Sequence, residues 1–501
     1  MNYFKQFLNK KNINNFEQIY FLFASLLITV LTLILLGLNL RYPFLWFDES
    51  ITFWIAKGIH PESLPFTLEG DFTSCLYYNK YFNLDPGGFT ILLHFWSKIS
   101  NNHFFIRTLP FIFYVIYNIF FIKVIYIKIN DYFLSTVLMI MINIFFGYFS
   151  TSFELRGYSM ELLTIILSLS LIIKSDKKMI PLKKIFFHSI ILALLMTSRY
   201  SSMILVFTTI SIVYLSQLSS SKLVLQNVKL FVSLYLPFLV VSILIIFWSY
   251  QTQKTFSNKL PYLKYLNSNP EIIFEFKNLI FIILLIYLIF LYIYSNKSNK
   301  NLILFTLLIN LIFIFLSILG KYPWEPLNSR SNVISLTTIL TFILTFNNIF
   351  FSLLLKKNIK FILSILVLII FNFNAKKLLI RFDKKVEIYS DLLSMKDLKN
   401  KKILVDRWSN LSVRYLYEYG NLRYLKKKHK YPINFTLLSS RKKYLNTITK
   451  TNQWYNNQIK TIDVENYSLL IIPELYKYKK INLNNWISID DENQILIRKK
   501  I

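Results

Sequence analysis

Two adjacent carboxylates, Asp48 and Glu49, follow the first long apolar run and lie in an aromatic-rich stretch. Ile51, Ile55 and Ile59 recur after them at helical spacing, which predicts an amphipathic helix in the membrane interface with Asp48 at its N-cap. A carboxylate held there is well placed to take a proton from a hydroxyl group at the lipid–water boundary, so both residues are catalytic candidates. The alternative is that Asp48 only caps the helix and that Glu49 is solvated.

Asp85 begins an Asp-Pro-Gly-Gly sequence, which indicates a turn that starts another short apolar helix. Its carboxylate is a candidate for substrate binding. Aspartate before proline is common in turns, so a purely local role is the alternative. His94, on the helix that follows, is more typical of a packed histidine than of a ligand.

Two arginines lie between apolar runs. The turn after the third run holds Glu154, Arg156 and Tyr158, and such charges are costly at a membrane unless they are paired or in water. The Arg156 guanidinium is suited to grip a phosphate, with Glu154 orienting it, or the two form a local ion pair. Arg199-Tyr200 interrupts a later apolar region, where the arginine either snorkels to the surface or faces a lipid phosphate.

A late turn, residues 320–331, is dense in aromatic and polar groups and includes Tyr322 and Arg330. Arg330 begins the next apolar run, so an interfacial anchor is the alternative to a binding role. Several arginines and carboxylates on one membrane face suit a lipid-phosphate substrate. Tyr322 and Arg330 therefore join the binding candidates.

Membrane helices must position these groups. The chain has 501 residues, 54% hydrophobic and only 17% charged, whereas soluble domains carry about 25% charge. Its apolar runs of about 18 to 24 residues are long enough to cross a bilayer as helices, and they do not alternate as barrel strands do. We predict a mainly α polytopic membrane protein with about eleven spans. The spans start near Ile19, Phe104, Asp131, Tyr158, Ile185, Tyr200, Lys229, Phe276, Asn301, Asn332 and Ile359.

Lysine-bearing breaks set the predicted topology. They place the N-terminus in the cytoplasm and the long first loop, 41–103, outside. The first apolar run lacks a small-residue cleavage site and is predicted to stay as a signal anchor. Residues 1–374 then form the membrane module, and the tail, 375–501, lies outside.

The tail alternates strand-like and helix-like stretches, which predicts a small α/β domain. The strand-like stretches are 402–406, 433–438, 469–473 and 494–498, and the helix-like ones are 409–419 and 443–455.

Composition also excludes several classes of protein. The net charge of +31 does not predict a nucleic-acid partner, because much of the lysine lies in the breaks that set topology. The single cysteine, Cys75, allows neither an intramolecular disulfide nor a thiolate metal cluster. Nine glycines, none in a phosphate-binding loop, exclude a Walker or dinucleotide site.

Four short segments, in chain order, resemble the polyprenyl-phosphate-dependent GT-C glycosyltransferases, which include the protein O-mannosyltransferase and aminoarabinose transferase relatives. The segments are Leu-Trp-x-Asp48-Glu49, Asp85-Pro followed by Leu-Leu-His94-Phe-Trp96, Glu154-x-Arg156-x-Tyr158-Ser, and Lys321-Tyr-Pro through Arg330. Together they cover most of the membrane region. Each motif is short, and the specific signal is their combined order.

The resemblance implies an inverting transfer of a sugar from undecaprenyl or another polyprenyl phosphate to a glycan, lipid or protein acceptor. Asp48 would be the general base on the acceptor hydroxyl. Arg156, Arg199 and Arg330 would contact the donor phosphate. The reaction would take place at the outer face of the inner (plasma) membrane.

No metal or other cofactor is predicted with certainty. Some members of the family place a divalent metal near the first loop, where Glu49 or Asp85 would contribute ligands. The chain departs from the family at Pro86-Gly87-Gly88, where Pro-Pro usually follows the acidic residue. This departure weakens the role that the resemblance gives Asp85.

Three other classes of protein remain open. A lipid-linked-sugar flippase or other transporter should carry charges in mid-membrane and an inverted repeat, and the predicted spans have few such charges and no hint of a repeat. A surface-glycan polymerase or ligase should carry its arginines in one large late loop, whereas here the large loop is early. A non-enzymatic assembly partner should tolerate substitution of Asp48.

Overall fold

The fold is known from a computed structural model of the full chain. The structure describes residues 45, 47–59, 69–83, 85–151, 154–177, 179–218, 224–259, 276–294, 297–319, 322, 324, 326, 332–345, 403–405, 415, 435–437, 469–472, 486–488 and 496–500. The predicted spans near Ile19 and Ile359, and Arg330, lie outside these ranges.

Thirteen α-helices are described in the membrane region. They are α1 (Phe47–Ala56), α2 (Phe72–Phe82), α3 (Gly88–Ile99), α4 (His103–Ile129), α5 (Tyr132–Phe145), α6 (Tyr148–Thr151), α7 (Tyr158–Lys177), α8 (Leu182–Leu195), α9 (Tyr200–Leu218), α10 (Val224–Lys259), α11 (Phe276–Tyr294), α12 (Lys297–Ile318) and α13 (Asn332–Thr345). A 3-10 turn, Met196–Ser198, joins α8 to α9. All nine predicted spans that fall on the described ranges therefore coincide with helices.

Five of these helices are long and apolar enough to cross a bilayer: His103–Ile129, Tyr158–Asp176, Tyr200–Leu218, Val224–Ile246 and Asn299–Ile318. Three shorter apolar helices accompany them: Tyr132–Phe145, Leu279–Tyr294 and Asn332–Thr345. The chain is thus a helical protein of membrane type. The number of eleven spans stays a prediction.

A tight turn shows how the sequence ends one helix and starts the next. Asn130 ends α4 in the left-handed region (φ 56°), a conformation that asparagine tolerates well. Asp131 then caps α5 by accepting a hydrogen bond from the Leu134 amide at 2.8 Å. The rings of Tyr126 and Tyr132 stack across the turn at 3.8 Å, which fixes α4 beside α5.

Helix α7 lies at the centre of the bundle and packs against α4, α9, α12 and α13. Within its span, 83% of an 18-residue stretch is buried, against 33% in α10. Helix α10 instead exposes Val228, Leu236 and Ile243, as expected of a helix that faces lipid. The polar residues at the start of α7 are therefore enclosed by protein.

Helix α1 differs from its prediction. Phe53, Trp54 and Ile55 are all at most 1% exposed, so the helix is enclosed by protein and does not lie as an amphipathic helix in the interface. It begins one residue before Asp48, which places that carboxylate in the first turn and not at the N-cap. Glu49 is only 2% exposed, so the solvated alternative is wrong. Helical spacing alone could not reveal that α2 and α3 pack against this helix.

The tail contributes a five-stranded mixed sheet in the order β2-β1-β3-β5-β4. The strands are β1 (Ile403–Val405), β2 (Phe435–Leu437), β3 (Leu469–Ile472), β4 (Trp486–Ser488) and β5 (Leu496–Lys500). Strand β1 pairs in parallel with β2 and β3, and β5 pairs antiparallel with β3 and β4. Four strands match the predicted stretches, and β4 was not predicted. The predicted helices lie outside the described residues except for Tyr415, so the α/β domain stays a prediction.

Candidate functional site

Four polar turns meet at one end of the bundle, where α4, α7, α9 and α13 all begin. The turns are the start of α1, the segment between α2 and α3, residues 154–157 before α7, and Arg199 before α9. Each helix start presents unpaired backbone amides and the positive end of a helix dipole. This end of the bundle therefore favours anionic groups.

The shortest ion pair at this end joins Asp48 to Arg156. Arg156 Nη1 donates to Asp48 Oδ2 at 2.7 Å, across 108 residues of sequence. Both side chains keep some access to solvent, with 26% of Asp48 and 13% of Arg156 exposed. The pair brings the predicted base and a predicted phosphate ligand into direct contact.

Asp85 lies between the two arginines. Its Oδ2 is 3.7 Å from Arg156 Nη2, and its Oδ1 is 3.7 Å from Arg199 Nε. Both distances exceed hydrogen-bond length, so the carboxylate is held by charge and not by short bonds. Asp85 thus occupies the position between two guanidiniums where another anion would fit.

Asparagines hold the segment that carries Asp85. Asn83 Nδ2 donates to Asn79 Oδ1 at 2.7 Å and to Thr90 Oγ1 at 2.9 Å. Asn83 Oδ1 in turn accepts from the Asp85 amide at 3.1 Å. This network joins the end of α2 to the start of α3 and fixes the backbone of Asp85.

The two glycines that distinguish this turn from the family pattern have a structural reason. Gly87 adopts φ +95°, which side-chain-bearing residues rarely adopt. A Cβ on Gly88 would overlap the Thr197 side chain in the 3-10 turn before Arg199. The glycines therefore allow the Asp85 turn to approach Arg199 closely.

The ring of Tyr158 lies against both guanidiniums. Its centroid is 5.0 Å from Arg156 Cζ and 4.6 Å from Arg199 Cζ, which is cation–π distance. Burial alone would lower the pKa of Arg156, but Tyr158, Asp48 and Asp85 together raise it above its ordinary value. Burial likewise opposes the charge of Arg199, whose pKa is nevertheless raised by Glu161, Tyr322, Tyr158 and Asp85. Both arginines are thus cationic at any physiological pH.

Arg199 is also bound from the protein side, by Glu161. Its Nη1 donates to Glu161 Oε2 at 3.1 Å. Glu161 is fully buried in the first turn of α7 and also accepts from Ser201 Oγ and from Asn332 Nδ2. Three helices, α7, α9 and α13, are therefore tied together at the carboxylate.

Glu49 points away from the two site arginines. Its Oε2 accepts from Arg107 Nη2 at 2.8 Å and its Oε1 accepts from the Leu155 amide at 3.0 Å. Both partners are buried, and Leu155 immediately precedes Arg156. Glu49 thus fastens α1 to α4 and to the turn that carries Arg156.

The remaining predicted residues lie around this centre. Asp48 and Asp85, the charge partners described for Arg156, come from other turns, and the orienting role of Glu154 stays a prediction. Tyr200 is the first residue of α9, and Tyr322 packs on Phe313 with ring centroids 5.0 Å apart. Burial raises the pKa of Tyr322, although Arg199 opposes that rise.

His94 is a packed histidine, as predicted. It is 2% exposed, and its Nδ1 lies 2.6 Å from the Ala56 carbonyl oxygen. Desolvation is the largest cause that lowers its pKa, which favours the neutral ring.

A small open cleft adjoins the arginines, with a volume of about 200 Å³ that includes its mouth. Its lining consists of Thr52, Asn83, Asp85, Gly87, Phe89, Thr90, Arg156, Gly157 and Ser198. The cleft is narrow and holds little more than a water molecule, so an anion at the arginines has to displace the Asp85 carboxylate. No set of three or more His, Cys, Asp or Glu side chains suited to a metal occurs within the described part of the chain.

Sequence reasoning missed Glu161, Arg107, Ser201 and Asn332. Glu161 had a signal, because a lone carboxylate inside an apolar run is expensive and commonly functional. Arg107 lies in the first turn of α4, where it resembles an ordinary interfacial cation. Ser201 and Asn332 carry no signal in the sequence by themselves.

Fold and site together define a helical protein of membrane type with an arginine–carboxylate cluster at one end of the bundle. No protein-family model matches the chain, and a search of curated proteins finds no significant match. Its function is therefore argued from the geometry of this cluster.

Proposed function

We propose that the chain is an inverting membrane glycosyltransferase that moves a sugar from a polyprenyl-phosphate donor to an extracytoplasmic acceptor. One observation carries the proposal: Arg156 and Arg199 flank a single anion position beside the carboxylate of Asp48. A phosphate leaving group and a proton-accepting group are needed side by side in such a transfer.

The donor phosphate would take the position between Arg156 and Arg199. Guanidiniums bind phosphate oxygens in a bidentate manner, and these two remain charged. Neutralising the phosphate makes it a better leaving group, because negative charge grows on it as the sugar departs. The nearby starts of α7 and α9 add positive potential from their helix dipoles.

Asp48 would act as the general base. In the resting arrangement, a hydrogen bond from Arg156 occupies Oδ2 of Asp48. A donor phosphate that binds Arg156 would release this oxygen, so the base becomes accessible when the donor is bound. This order of events would limit the reaction to the donor-loaded site.

The chemical step forms one bond to the anomeric carbon and breaks another. The acceptor hydroxyl oxygen bonds to the anomeric carbon, and the bond from that carbon to the phosphate oxygen breaks. The hydroxyl proton passes to Asp48, and polyprenyl phosphate leaves with the electron pair. Attack from the side opposite the phosphate inverts the anomeric configuration. A base held close to the hydroxyl needs only modest strength.

Glu49 takes a positioning role in this scheme and not a proton-transfer role. It is buried against Arg107 and the Leu155 amide, which fixes α1 relative to the Arg156 turn. The protein would lie in the inner (plasma) membrane with its N-terminus in the cytoplasm. The site and the C-terminal domain would face outward, where lipid-linked sugars replace nucleotide sugars as donors.

The decisive experiment measures release of polyprenyl phosphate by purified protein in detergent. A panel of polyprenyl-phosphate sugars is offered with and without an acceptor extract. Asp48→Asn should abolish release, because the amide cannot accept the proton. Glu69→Gln is the matched control, since it removes a carboxylate of the same loop that pairs with Lys57 and lies outside the arginine cluster.

Three results are informative. Release by the wild type that Asp48→Asn alone abolishes supports the transferase. Equal release by wild type and Asp48→Asn removes Asp48 from the role of base. Absence of release from every donor, with tight binding of polyprenyl phosphate retained, would instead favour a lipid-linked-sugar transporter.

A further inference from the structure

Glu161 has no part in the chemistry above, yet it is the most enclosed charge of the cluster. It is 0% exposed in the first turn of α7, whereas 21% of the Asp85 side chain and 26% of the Asp48 side chain are exposed. A carboxylate at such a position loses its hydration and must regain it from donors in the protein. The groups that donate hydrogen bonds to Glu161 therefore indicate its role.

The donors around Glu161 come from three elements. Arg199 Nη1 and Asn332 Nδ2 each donate to Oε2 at 3.1 Å, and Ser201 Oγ donates to Oε1. A buried ion pair of this kind is weak support for stability, because an apolar residue of similar size often packs as well or better. The arrangement therefore points to a role in orientation.

Arg199 is the group that needs orientation. Arg199 is a single residue of extended backbone (φ −153°, ψ 155°) between the 3-10 turn and α9. Its side chain therefore projects from a short link and not from a helix face. Glu161 engages the guanidinium through Nη1, while Nε lies 3.7 Å from Asp85 Oδ1. One part of the guanidinium is thus anchored to the protein, and another faces the anion position.

Aromatic groups limit the remaining freedom of this guanidinium. The Tyr158 ring lies 4.6 Å from Arg199 Cζ. Tyr322 approaches from the late turn, where it interacts with Arg199 and Ser201. With Glu161 these contacts fix both the plane and the rotation of the guanidinium.

We propose that Glu161 is a positioning residue that presents the Arg199 guanidinium to the phosphate of the lipid ligand. The inference rests on the proposed function only in taking a lipid phosphate as the ligand. Glu161 itself touches neither the sugar nor the phosphate and acts through Arg199.

The test is a double-mutant cycle on the binding of undecaprenyl phosphate to the purified full-length protein. Glu161→Gln keeps the size, and its amide oxygen can still accept a hydrogen bond from either Ser201 or Asn332, but it removes the charge that anchors Arg199. Binding should weaken about ten- to a hundred-fold, the expected effect of losing one charge-assisted interaction. In an Arg199→Gln background, Glu161→Gln should change binding by less than about twofold, because Arg199, through which Glu161 acts, is absent.

Thr164→Val is the matched control. Thr164 is buried one turn further along α7, and its hydroxyl bonds only back to the Met160 carbonyl among the contacts described. This variant should bind like the wild type, since it disturbs packing in α7 without touching Arg199. Thermal unfolding of each variant checks that the fold is retained.

Arg199→Lys provides a second route should Glu161→Gln fail to fold. A lysine keeps the positive charge for Glu161 but has a single ammonium, which cannot serve Glu161 and a phosphate with two separate edges. Weakened binding in Arg199→Lys supports the proposal. The proposal is overturned if Arg199→Lys or Glu161→Gln binds undecaprenyl phosphate like the wild type. It is also overturned if Glu161→Gln weakens binding equally in the wild-type and Arg199→Gln backgrounds.

Failure of the proposed function would look different. A wild type that binds undecaprenyl phosphate but releases none from any sugar donor contradicts the transferase, while the binding cycle still decides the role of Glu161. A wild type that does not bind undecaprenyl phosphate overturns the inference about Glu161 directly.

Discussion

Asp85→Asn should strengthen, and not weaken, the binding of a lipid phosphate. Asp85 places a carboxylate between Arg156 and Arg199, at 3.7 Å from each. A phosphate that binds both arginines must displace this carboxylate or share the arginines with it. Asparagine keeps the shape of the side chain and removes the competing charge.

The magnitude follows from the two distances. At 3.7 Å and an effective dielectric constant near 20, each pair is worth at most about 4.5 kcal/mol. Asp85 is 21% exposed, and solvent screening reduces pairs of this kind to about 1 kcal/mol each. Loss of about 2 kcal/mol of competition corresponds to roughly 30-fold tighter binding.

The assay is equilibrium binding of undecaprenyl phosphate in detergent, followed by intrinsic tryptophan fluorescence. Glu69→Gln is the control for a general loss of negative charge in the same loop. Its carboxylate pairs with Lys57 at 2.9 Å, so its removal should leave the affinity within about twofold of the wild type. Unchanged or weaker binding by Asp85→Asn would refute the competition argument and would favour direct contact between Asp85 and the substrate.

Three further predictions concern the scaffold of the site. Arg107→Gln leaves Glu49 buried without its cationic partner and should lower the free energy of unfolding by about 3–5 kcal/mol, seen as a lower melting temperature. Adding Glu49→Gln should recover part of this stability. A wild-type melting temperature for Arg107→Gln would contradict the reasoning. Gly88→Ala should also lower the melting temperature, because its Cβ would overlap Thr197, and Thr197→Gly should compensate if this overlap is the cause. Asp71→Ala should increase amide hydrogen exchange at the start of α2 at neutral pH. Asp71 is the N-cap of α2, and hydrogen bonds from the Ser74 side chain and amide lower its pKa to about 2. The wild-type cap should therefore persist above pH about 4 and be lost as the pH falls through about 2. Protection of these amides, relative to their intrinsic exchange rate at each pH, that changes with neither pH nor the substitution would exclude this cap.

Much of the site could be predicted because its parts lie at one end of the helix bundle. Asp48, Arg156 and Arg199 are far apart in the chain, but lysine-rich breaks on the opposite face assign all three turns to the same side of the bilayer. Residue types then narrowed the set of candidate site residues, since few charged residues lie near the predicted spans. Topology brings these turns to one end, and packing determines which of them touch.

The directions of the side chains could not be predicted in the same way. Asp48 and Glu49 are neighbours in sequence and equal in charge, yet one reaches Arg156 and the other turns into the core toward Arg107. Successive residues on a helix point about 100° apart, so one of them had to leave the cleft. Which one leaves depends on where α4 packs, and this long-range contact has no local signature.

The position of each strand in the tail sheet explains why β3 was predicted from the sequence and β4 was not. Strand β3 reads as a continuous apolar run, and it pairs with β1 on one side and β5 on the other, as expected of a central strand. Strand β4 has three residues and pairs only with β5 among the described strands. A short edge strand of this kind carries too few alternations to stand out from a loop.

The charges of the cluster alternate from Glu161 through Arg199, Asp85 and Arg156 to Asp48, so carboxylates outnumber guanidiniums. Such a site is not a simple positive trap for anions arriving from water. In the proposed reaction, a donor anchored in the bilayer would arrive by lateral diffusion and would need little long-range attraction. Its phosphate would instead exchange partners with the cluster: it would replace the weakly held Asp85 and draw Arg156 from Asp48, while Glu161 keeps Arg199 in place. The two Asp85 pairs that must open are long, at 3.7 Å each, and the Glu161–Arg199 pair that persists is shorter, at 3.1 Å. The Asp48–Arg156 pair is the shortest of the cluster, at 2.7 Å, so the bound phosphate itself must compensate Arg156 for its loss.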